Sequence, residues 1–271
     1  MSWRRAETAQ GRSIRPEGAR DVTRTLPEET PVALVYDGST QAVMMATPGD
    51  IEDFATGFTL TEGFAEAHEI GEVEIVAHER GIEARLWLPE HRRAALARRR
   101  RAMAGPVGCG LCGIDSLEEA TRALPAVPDG ARFTVAEIAG AAEDLRAHQP
   151  LHDLTRAVHA AGFLLPGRGI VMAREDVGRH NALDKLIGAL ARAGIDAATG
   201  AIVLTSRVST EMVQKTAMAV CPVLVAVSAP TAHALRLAEG CGLTLAAFAR
   251  AGGVDLYAHP RRILTEAAHV A

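Results

Sequence analysis

The stretch AIVLTSRVSTEMVQKTAMAVCPVLVAVSAPTAHALRLAEGCGLTLAAF, residues 201–248, decides the fold. Short apolar runs at 201–205, 223–227 and 243–248 predict three strands. The segments 210–219 and 232–238 between them carry helical patterns. Because apolar strands that alternate with helices must be covered on both faces, the stretch predicts a parallel or mixed sheet between helical layers.

The sequence on either side extends this layered unit. A hairpin is predicted from strands at 158–165 and 170–173, with a turn in PGRG, and helices are predicted at 135–145 and 182–193. A short last strand is predicted at 254–257. We therefore assign residues 125–271 to an α/β domain, which begins with a linker at 125–131 that contains Pro128, Asp129 and Gly130.

Residues 26–124 predict a smaller α+β subdomain. Two hairpins are expected, one at 32–45 around the turn DGST and one at 72–88 around Gly81. Ile51, Phe54 and Phe58 form one apolar stripe of a helix that the segment TPGD can cap, and a very basic helix is expected at 91–101. Residues 1–25 are rich in arginine and weakly patterned, which predicts a loose tail.

Composition narrows the class of protein. The chain has 271 residues, 48% hydrophobic and 23% charged, as expected for a globular protein. A net charge of −4 argues against a generally basic nucleic-acid-binding protein. We also find no apolar stretch of about 18 residues for a membrane span and no secretory signal. With only four cysteines, a disulfide scaffold is excluded and a cytoplasmic, reducing compartment is expected.

The motif GCGLCG at 108–113 contains Cys109 and Cys112, the candidate catalytic residues. Its glycines leave both thiols accessible, so a reactive-cysteine loop is the preferred interpretation. The arginines at 98–101 favour a thiolate if they fold back onto the loop, and a solvated helix face is the more common alternative for such a run. A thioredoxin-like motif, a zinc site, a dinucleotide fingerprint and a structural loop are the alternatives. Cys221 and Cys241 lie in apolar contexts, which predicts buried packing residues.

Polar and cationic residues follow four of the predicted strands, in the segments REDVGRHN, SRVS, SAPT and RAGG. Ligands of α/β sheets bind at the carboxyl ends of strands, and arginines beside helix N-termini bind anions. The pattern predicts a site for an anion such as a nucleotide pyrophosphate; ordinary helix caps and surface charges are the alternative. The candidate residues are Arg174, Arg179, His180, Arg207, Ser209 and Arg250. His159 and His180 are also candidate bases, with a structural role as the more common alternative for a lone histidine, and Glu211 is expected to be a first-turn helix acid.

Five blocks occur in order between about residues 31 and 260. They are VALVYDGSTQAVMMATPGDIEDFATGFTLTEGF, GCGLCGIDSL, HAAGFLLPGRGIVMAREDVGRHNALDKLIG, SRVSTEMVQKTAM and LVAVSAPTA. These blocks resemble those of the FdhD family, the formate dehydrogenase accessory sulfurtransferases. Nearly all of the chain is covered by the resemblance.

The resemblance implies a sulfur relay. Such proteins take persulfide sulfur from a cysteine desulfurase and pass it to the molybdenum cofactor, Mo-bis-molybdopterin guanine dinucleotide, before this bound substrate enters formate dehydrogenase. The family's essential cysteine matches Cys109, and Cys112 is less critical. The family's cofactor-binding stretch falls on Phe248, Ala249, Arg250, Ala251, Gly252 and Gly253. GDP is an analogue of the guanine nucleotide end of that cofactor. A homodimer, a cytidine-deaminase-like fold of the second half and no resident metal are also implied.

Some positions depart from the family pattern or from the deaminases. Pro106 and Val107 stand where many members have Arg-Thr, and the segment before His159 also differs. His159 is followed by two alanines rather than by the H-x-E of zinc deaminases, so deaminase chemistry is not expected. The apolar strand around Phe248 favours packing of its ring in the core, and stacking on a ring of the ligand is the alternative. Two rival functions stay open: a cofactor-binding chaperone without sulfur chemistry, and a zinc-dependent nucleotide enzyme.

Overall fold

A six-stranded mixed sheet organises the second half of the chain in the computed structural model, which describes residues 3–103, 124–250 and 252–264. Its strand order is β13-β12-β11-β10-β8-β9. The strands are β8 (His159–Leu165), β9 (Gly169–Asp176), β10 (Ala201–Leu204), β11 (Val223–Ala226), β12 (Thr244–Arg250) and β13 (Gly253–Ala258). β10, β11 and β12 run parallel, whereas β8 pairs antiparallel with both β10 and β9. The predicted mixed sheet is confirmed.

Helices cover both faces of this sheet, as the alternation of its side chains requires. Along β10, Ile202 and Leu204 join one apolar core, and Ala201 and Val203 join the other. The first core lies under three helices and the second under the helix that begins the domain. In chain order these four helices are α3 (Val135–Arg146), α5 (Arg179–Arg192), α6 (Thr210–Met218) and α7 (Ala232–Cys241). Thr134 caps α3 through the capping box that it forms with Glu137.

A four-stranded sheet of order β4-β3-β6-β5 forms the first half, with mostly antiparallel pairing as predicted. Its strands are β3 (Thr30–Tyr36), β4 (Ser39–Ala46), β5 (Glu74–His78) and β6 (Gly81–Leu86). Helix α1 (Ile51–Thr61) buries Ile51, Phe54 and Phe58 against it, and α2 (Glu90–Met103) follows β6. Asp50 stands at the N-cap of α1 but makes no capping hydrogen bond, since its carboxylate pairs with Arg5.

Three segments differ from the sequence-based expectation. The loose tail predicted for residues 1–25 is wrong for most of its length, because β1 (Ala6–Arg15) and β2 (Gly18–Pro27) pair as an antiparallel hairpin. Both strands are largely exposed, so they carry no alternating apolar pattern that would predict them. The short helix α4 (Pro150–Thr155) was not predicted. The two-residue strands β7 (Phe133–Thr134) and β14 (Ile263–Leu264), which pair with each other in parallel, were not predicted either.

Candidate functional site at the carboxyl edge of the sheet

The four strands with polar ends all finish at one edge of the sheet. β10, β11 and β12 are parallel, and β9 runs in their direction because both β9 and β10 are antiparallel to β8. The carboxyl ends of β9, β10, β11 and β12 therefore meet at this edge. The start of β8, at His159, lies at the same edge, where His159 pairs with Asp176. We call this region the carboxyl edge.

A groove of about 630 Å³ opens at the carboxyl edge, on the side of the sheet that α3 covers. This volume lies within the range of small-molecule sites, roughly 300–1,000 Å³. Residues within the strands or directly after them line its wall: His159, Thr205, Val227, Ala249 and Arg250. Polar residues from α3, α4 and their connections complete it: Glu143, Arg146, Gln149, His152 and Arg156. The sequence did not point to this second set, because none of its residues directly follows a predicted strand.

Asp153 moderates the positive charge of the groove. Its carboxylate pairs with Arg146, and it lies 3.7 Å from Arg156. Arg250 is exposed at the end of β12, and its guanidinium carbon lies 6.0 Å from the centre of the Phe248 ring. Arg250 is therefore available to an anionic ligand.

The Phe248 side chain is half-buried, so the expectation that it packs in the core is wrong. Its backbone adopts a left-handed φ of 54°, within an irregular part of the pairing between β12 and β13. The ring lies 6.4 Å from that of Tyr257, centre to centre. A non-glycine residue at positive φ is uncommon, and here it leaves an aromatic face beside Arg250. Ala249 is buried, Gly252 has a φ of +79°, and Ala251 lies outside the described residues.

The other candidates lie on the opposite side of the carboxyl edge, at the first turns of α5 and α6. Arg179 and His180 begin α5, and Ser209 is the N-cap of α6 without a capping hydrogen bond. His180 Nε2 lies 2.7 Å from a carboxylate oxygen of Glu211. Arg207 is exposed in the loop before α6. The structure thus separates the predicted residues into a groove side and a helix side.

Arg174 is bound to the first half of the molecule. Its Nε donates to Asp53 at 2.8 Å, and a terminal nitrogen lies 2.7 Å from the same carboxylate oxygen. Asp53 also pairs with Arg192. The Arg174 guanidinium thus joins β9 to α1 within an ion-pair network, and this contact provides a structural role for it.

His159 lies between the two sides. It is half-buried, and burial lowers the pKa of its imidazole, with the nearby positive charges of Arg179, His152 and His180 adding to the effect. Asp176 opposes this shift. The ring is therefore neutral at neutral pH and can accept a hydrogen bond or a proton there.

The structure describes Cys221 and Cys241 but not the two cysteines of the GCGLCG motif. Cys221 and Cys241 are buried, which confirms the prediction made from their apolar neighbours. Cys109 and Cys112 lie outside the described residues. In the described part of the chain, no group of three or more His, Cys, Asp or Glu residues could hold a metal ion. No helix among the described residues is long and apolar enough to cross a membrane.

The fold and the carboxyl edge together define a class: an α/β protein with an arginine-bearing groove at the ends of parallel strands. Comparison with known proteins gives the family. Residues 27–264 match the model of the FdhD/NarQ family, and the chain belongs to that family.

Relatives and a solved structure support the same assignment. The chain is 50% identical to a "Sulfur carrier protein FdhD" of Agrobacterium fabrum, over 89% of this chain and 90% of the relative. It is 53% identical to a protein of the same name from Brucella abortus, over 92% of this chain and 94% of the relative. A crystal structure described as that of a formate dehydrogenase accessory protein from Desulfotalea psychrophila aligns with a TM-score of 0.75 and 26% identity, covering 96% of this chain and 99% of that one.

Proposed function

We propose that this protein is a sulfur carrier for formate dehydrogenase and acts as a sulfurtransferase. The observation that carries the proposal is that relatives about half identical over nine-tenths of the chain bear the name sulfur carrier protein. The aligned structure, described as a formate dehydrogenase accessory protein, supports the client enzyme. The cytidine-deaminase likeness of the second half stays a prediction.

The proposed chemistry is a persulfide relay at Cys109. A Cys109 thiolate attacks the outer sulfur of a cysteine desulfurase persulfide, the new S–S bond forms, and the donor leaves as its thiolate. The persulfide S–S bond then breaks with its electron pair leaving on Cys109 as the thiolate, and the outer sulfur passes to the molybdenum cofactor, the substrate, whose reduced metal would supply the two electrons that bring this sulfur to the sulfide level. Cys112 acts as a resolving or protecting thiol.

The cofactor substrate is proposed to bind along the carboxyl edge. The groove is large enough for a nucleotide, and Arg250 and Phe248 offer it a charge-assisted hydrogen bond and an aromatic face. These residues fit an anionic guanine nucleotide end of the molybdenum cofactor. A homodimer in the cytoplasm, in contact with a cysteine desulfurase and with formate dehydrogenase, completes the proposal.

Loss of the Cys109 thiol tests the relay. We expect Cys109→Ala to abolish sulfur loading, measured by mass spectrometry after incubation with a cysteine desulfurase and cysteine, and to abolish formate dehydrogenase maturation. Cys112→Ala should keep part of both, because the nucleophile remains. If neither substitution affects maturation, the protein is a cofactor-binding chaperone without sulfur chemistry.

Arg250→Ala tests the cofactor site. A hydrogen bond between arginine and phosphate contributes about 1.5–3 kcal/mol, so GDP should bind roughly 10- to 100-fold more weakly in a calorimetric titration. Sulfur loading at Cys109 should not change, because attack on the donor does not need the cofactor. Arg236→Ala is the matched control, since Arg236 is an exposed arginine on α7 outside the groove lining. Unchanged GDP affinity in Arg250→Ala would place the nucleotide elsewhere.

A further inference from the structure

A buried glutamine of the groove has a side-chain amide without a partner. Gln149 is only 3% exposed and lines the groove at the carboxyl edge. Within the described part of the chain, no group hydrogen-bonds its amide. An amide has two N–H donors and a carbonyl acceptor, and buried polar groups are almost always hydrogen-bonded. The unused hydrogen-bonding capacity of Gln149 therefore points to a polar group that enters the groove.

The fold relieves Gln149 of the capping role that its position would give it. Gln149 is the N-cap of α4, and its side chain makes no capping hydrogen bond. The N–H groups of Leu151 and His152 donate instead to the buried carboxylate of Glu175 on β9, each at 2.8 Å. The start of α4 is thus satisfied by the protein itself. What is left for a ligand is the Gln149 amide rather than the end of the helix.

The other residues of the groove suit a flat ring with an anionic group attached. Its apolar lining consists of small side chains, against which a planar ring can lie: Ala142, Ala157, Val158, Val227 and Ala249. Arg250 lines the same groove and is exposed. An arginine binds phosphate through charge-assisted hydrogen bonds, whereas a neutral amide suits the polar edge of a base. The groove therefore offers separate groups to the two parts of a nucleotide.

We propose that Gln149 is the residue that recognises the base, and that its amide hydrogen-bonds the polar edge of the purine. A glutamine amide forms paired hydrogen bonds of this kind, in which its N–H donates to a base acceptor and its carbonyl accepts from a base N–H. Guanine offers both groups at O6 and N1–H. The inference rests on the proposed function, because that function supplies the guanine nucleotide. It assigns the base to Gln149 and the phosphates to Arg250.

Gln149→Met tests this assignment, because methionine has a similar length and no amide. We expect GDP to bind the variant about tenfold more weakly in a calorimetric titration, since the edge of the base loses its partner. Inorganic pyrophosphate has no base and should bind the variant and the unmodified protein equally. Arg250→Ala should weaken the binding of both GDP and pyrophosphate. Equal losses of GDP and pyrophosphate affinity in Gln149→Met would overturn the inference.

A change in the ligand tests the same contact without a change in the protein. Purine riboside 5′-diphosphate has neither the carbonyl nor the amino group of guanine. It should bind the unmodified protein about tenfold more weakly than GDP does, and Gln149→Met should not distinguish the two nucleotides. The two changes thus form a double-mutant cycle between the amide and the base. Strictly additive losses would contradict a direct contact.

The stability of the ligand-free protein separates recognition from a structural role. Replacing a polar group that has no partner by an apolar one of similar shape is neutral or stabilising. The urea unfolding midpoint of Gln149→Met should therefore equal or exceed that of the unmodified protein. A lower midpoint would show that the amide is already satisfied in the free protein, by a water molecule for example, and would overturn the inference.

Gln214→Met is the matched control. Gln214 of α6 is 5% exposed, lies outside the groove lining and, unlike Gln149, is not without a partner. Its substitution should lower the unfolding midpoint and leave the ratio of GDP to pyrophosphate affinity unchanged.

The Arg250 variant keeps the failure of this inference distinct from that of the proposed function. If GDP binds and Arg250→Ala weakens it while Gln149→Met does not, the cofactor site stands and the role of Gln149 is wrong. If GDP does not bind the unmodified protein, the proposed site and this inference fail together.

Discussion

At the scale of single residues, burial decides which thiols are available for chemistry. Cys221 is completely buried, and burial raises the pKa of its thiol to about 12. Its Sγ donates weakly to the carbonyl of Val223 at 3.5 Å. Burial also raises the pKa of Cys241. Since thiolates rather than thiols attack sulfur, neither residue is suited to a persulfide relay at neutral pH.

A thiol reagent should therefore distinguish the cysteines of the native protein. We expect rapid modification of Cys109 and Cys112, whose neighbours are glycines, and modification of Cys221 and Cys241 only on unfolding. Mass spectrometry of the labelled protein over time measures both rates. The control is a double variant, Cys109→Ala with Cys112→Ala. Rapid labelling of this variant in native buffer would show that the buried thiols are reached.

At the scale of elements, two glycines let α1 and α5 touch. A Cβ on Gly57 of α1 would lie 1.7 Å from the carbonyl oxygen of Asp184 on α5. A Cβ on Gly188 of α5 would lie 1.9 Å from the carbonyl oxygen of Asp53 on α1. The helices therefore cross backbone to backbone, with no room for any side chain at the crossing. This contact joins the first half of the chain to the second.

Gly57→Ala should separate these helices and destabilise the protein. Overpacking in a core costs about 1–3 kcal/mol and occasionally more, and contact with a rigid backbone predicts the upper end. Gly140→Ala is the matched control, because it is also a helical glycine, in α3, but has no atom within 4 Å of its Cβ position. It should stabilise the protein by about 0.5–1 kcal/mol. Urea unfolding measures both changes, and equal effects would contradict the crossing.

At the scale of the whole molecule, contacts from the first half of the chain hold the segment between β9 and α5, which leads to Arg179 and His180 on the helix side of the site. Thr47 follows β4, and its N–H donates to Asp176 at 3.0 Å, while its hydroxyl accepts from the Val177 N–H at 3.1 Å. Lys185 donates to the Thr47 carbonyl at 2.8 Å and lies 2.6 Å from Asp176. Asp176 also accepts from the N–H of Gly178, the N-cap of α5. The position of His180 thus depends on both halves.

Lys185→Met should strongly destabilise the molecule. Lys185 and Asp176 are both fully buried, so the substitution leaves a buried carboxylate without its counter-ion. Breaking such a pair costs about 3–5 kcal/mol. The further change Asp176→Asn removes that charge, so the double variant should be more stable than the sum of the two single losses predicts. Unfolding free energies from a double-mutant cycle measure this coupling, and strict additivity would contradict it.

The sequence by itself determined most elements of the layered half and the polar residues at the ends of its strands. Apolar runs at β10, β11 and β12 can be stable only between two helical layers, so their period and length were sufficient to predict the mixed sheet. The start of α3 and the burial of Cys221 were also readable, because both depend on near neighbours in the chain. The same local signals placed Arg250 and His180 at strand and helix ends.

Only the tertiary structure decided which of these residues meet. Arg174 has the same local signature as Arg250, yet it pairs with Asp53 from a helix 121 residues earlier in the chain. Phe248 leaves the core because β12 and β13 pair irregularly, and the exposed hairpin of β1 and β2 has no buried face that could mark it in the sequence. Glu211 reaches His180 because parallel strands carry α5 and α6 side by side. Long-range pairing of this kind depends on how the chain closes in space, which no local pattern of residues encodes.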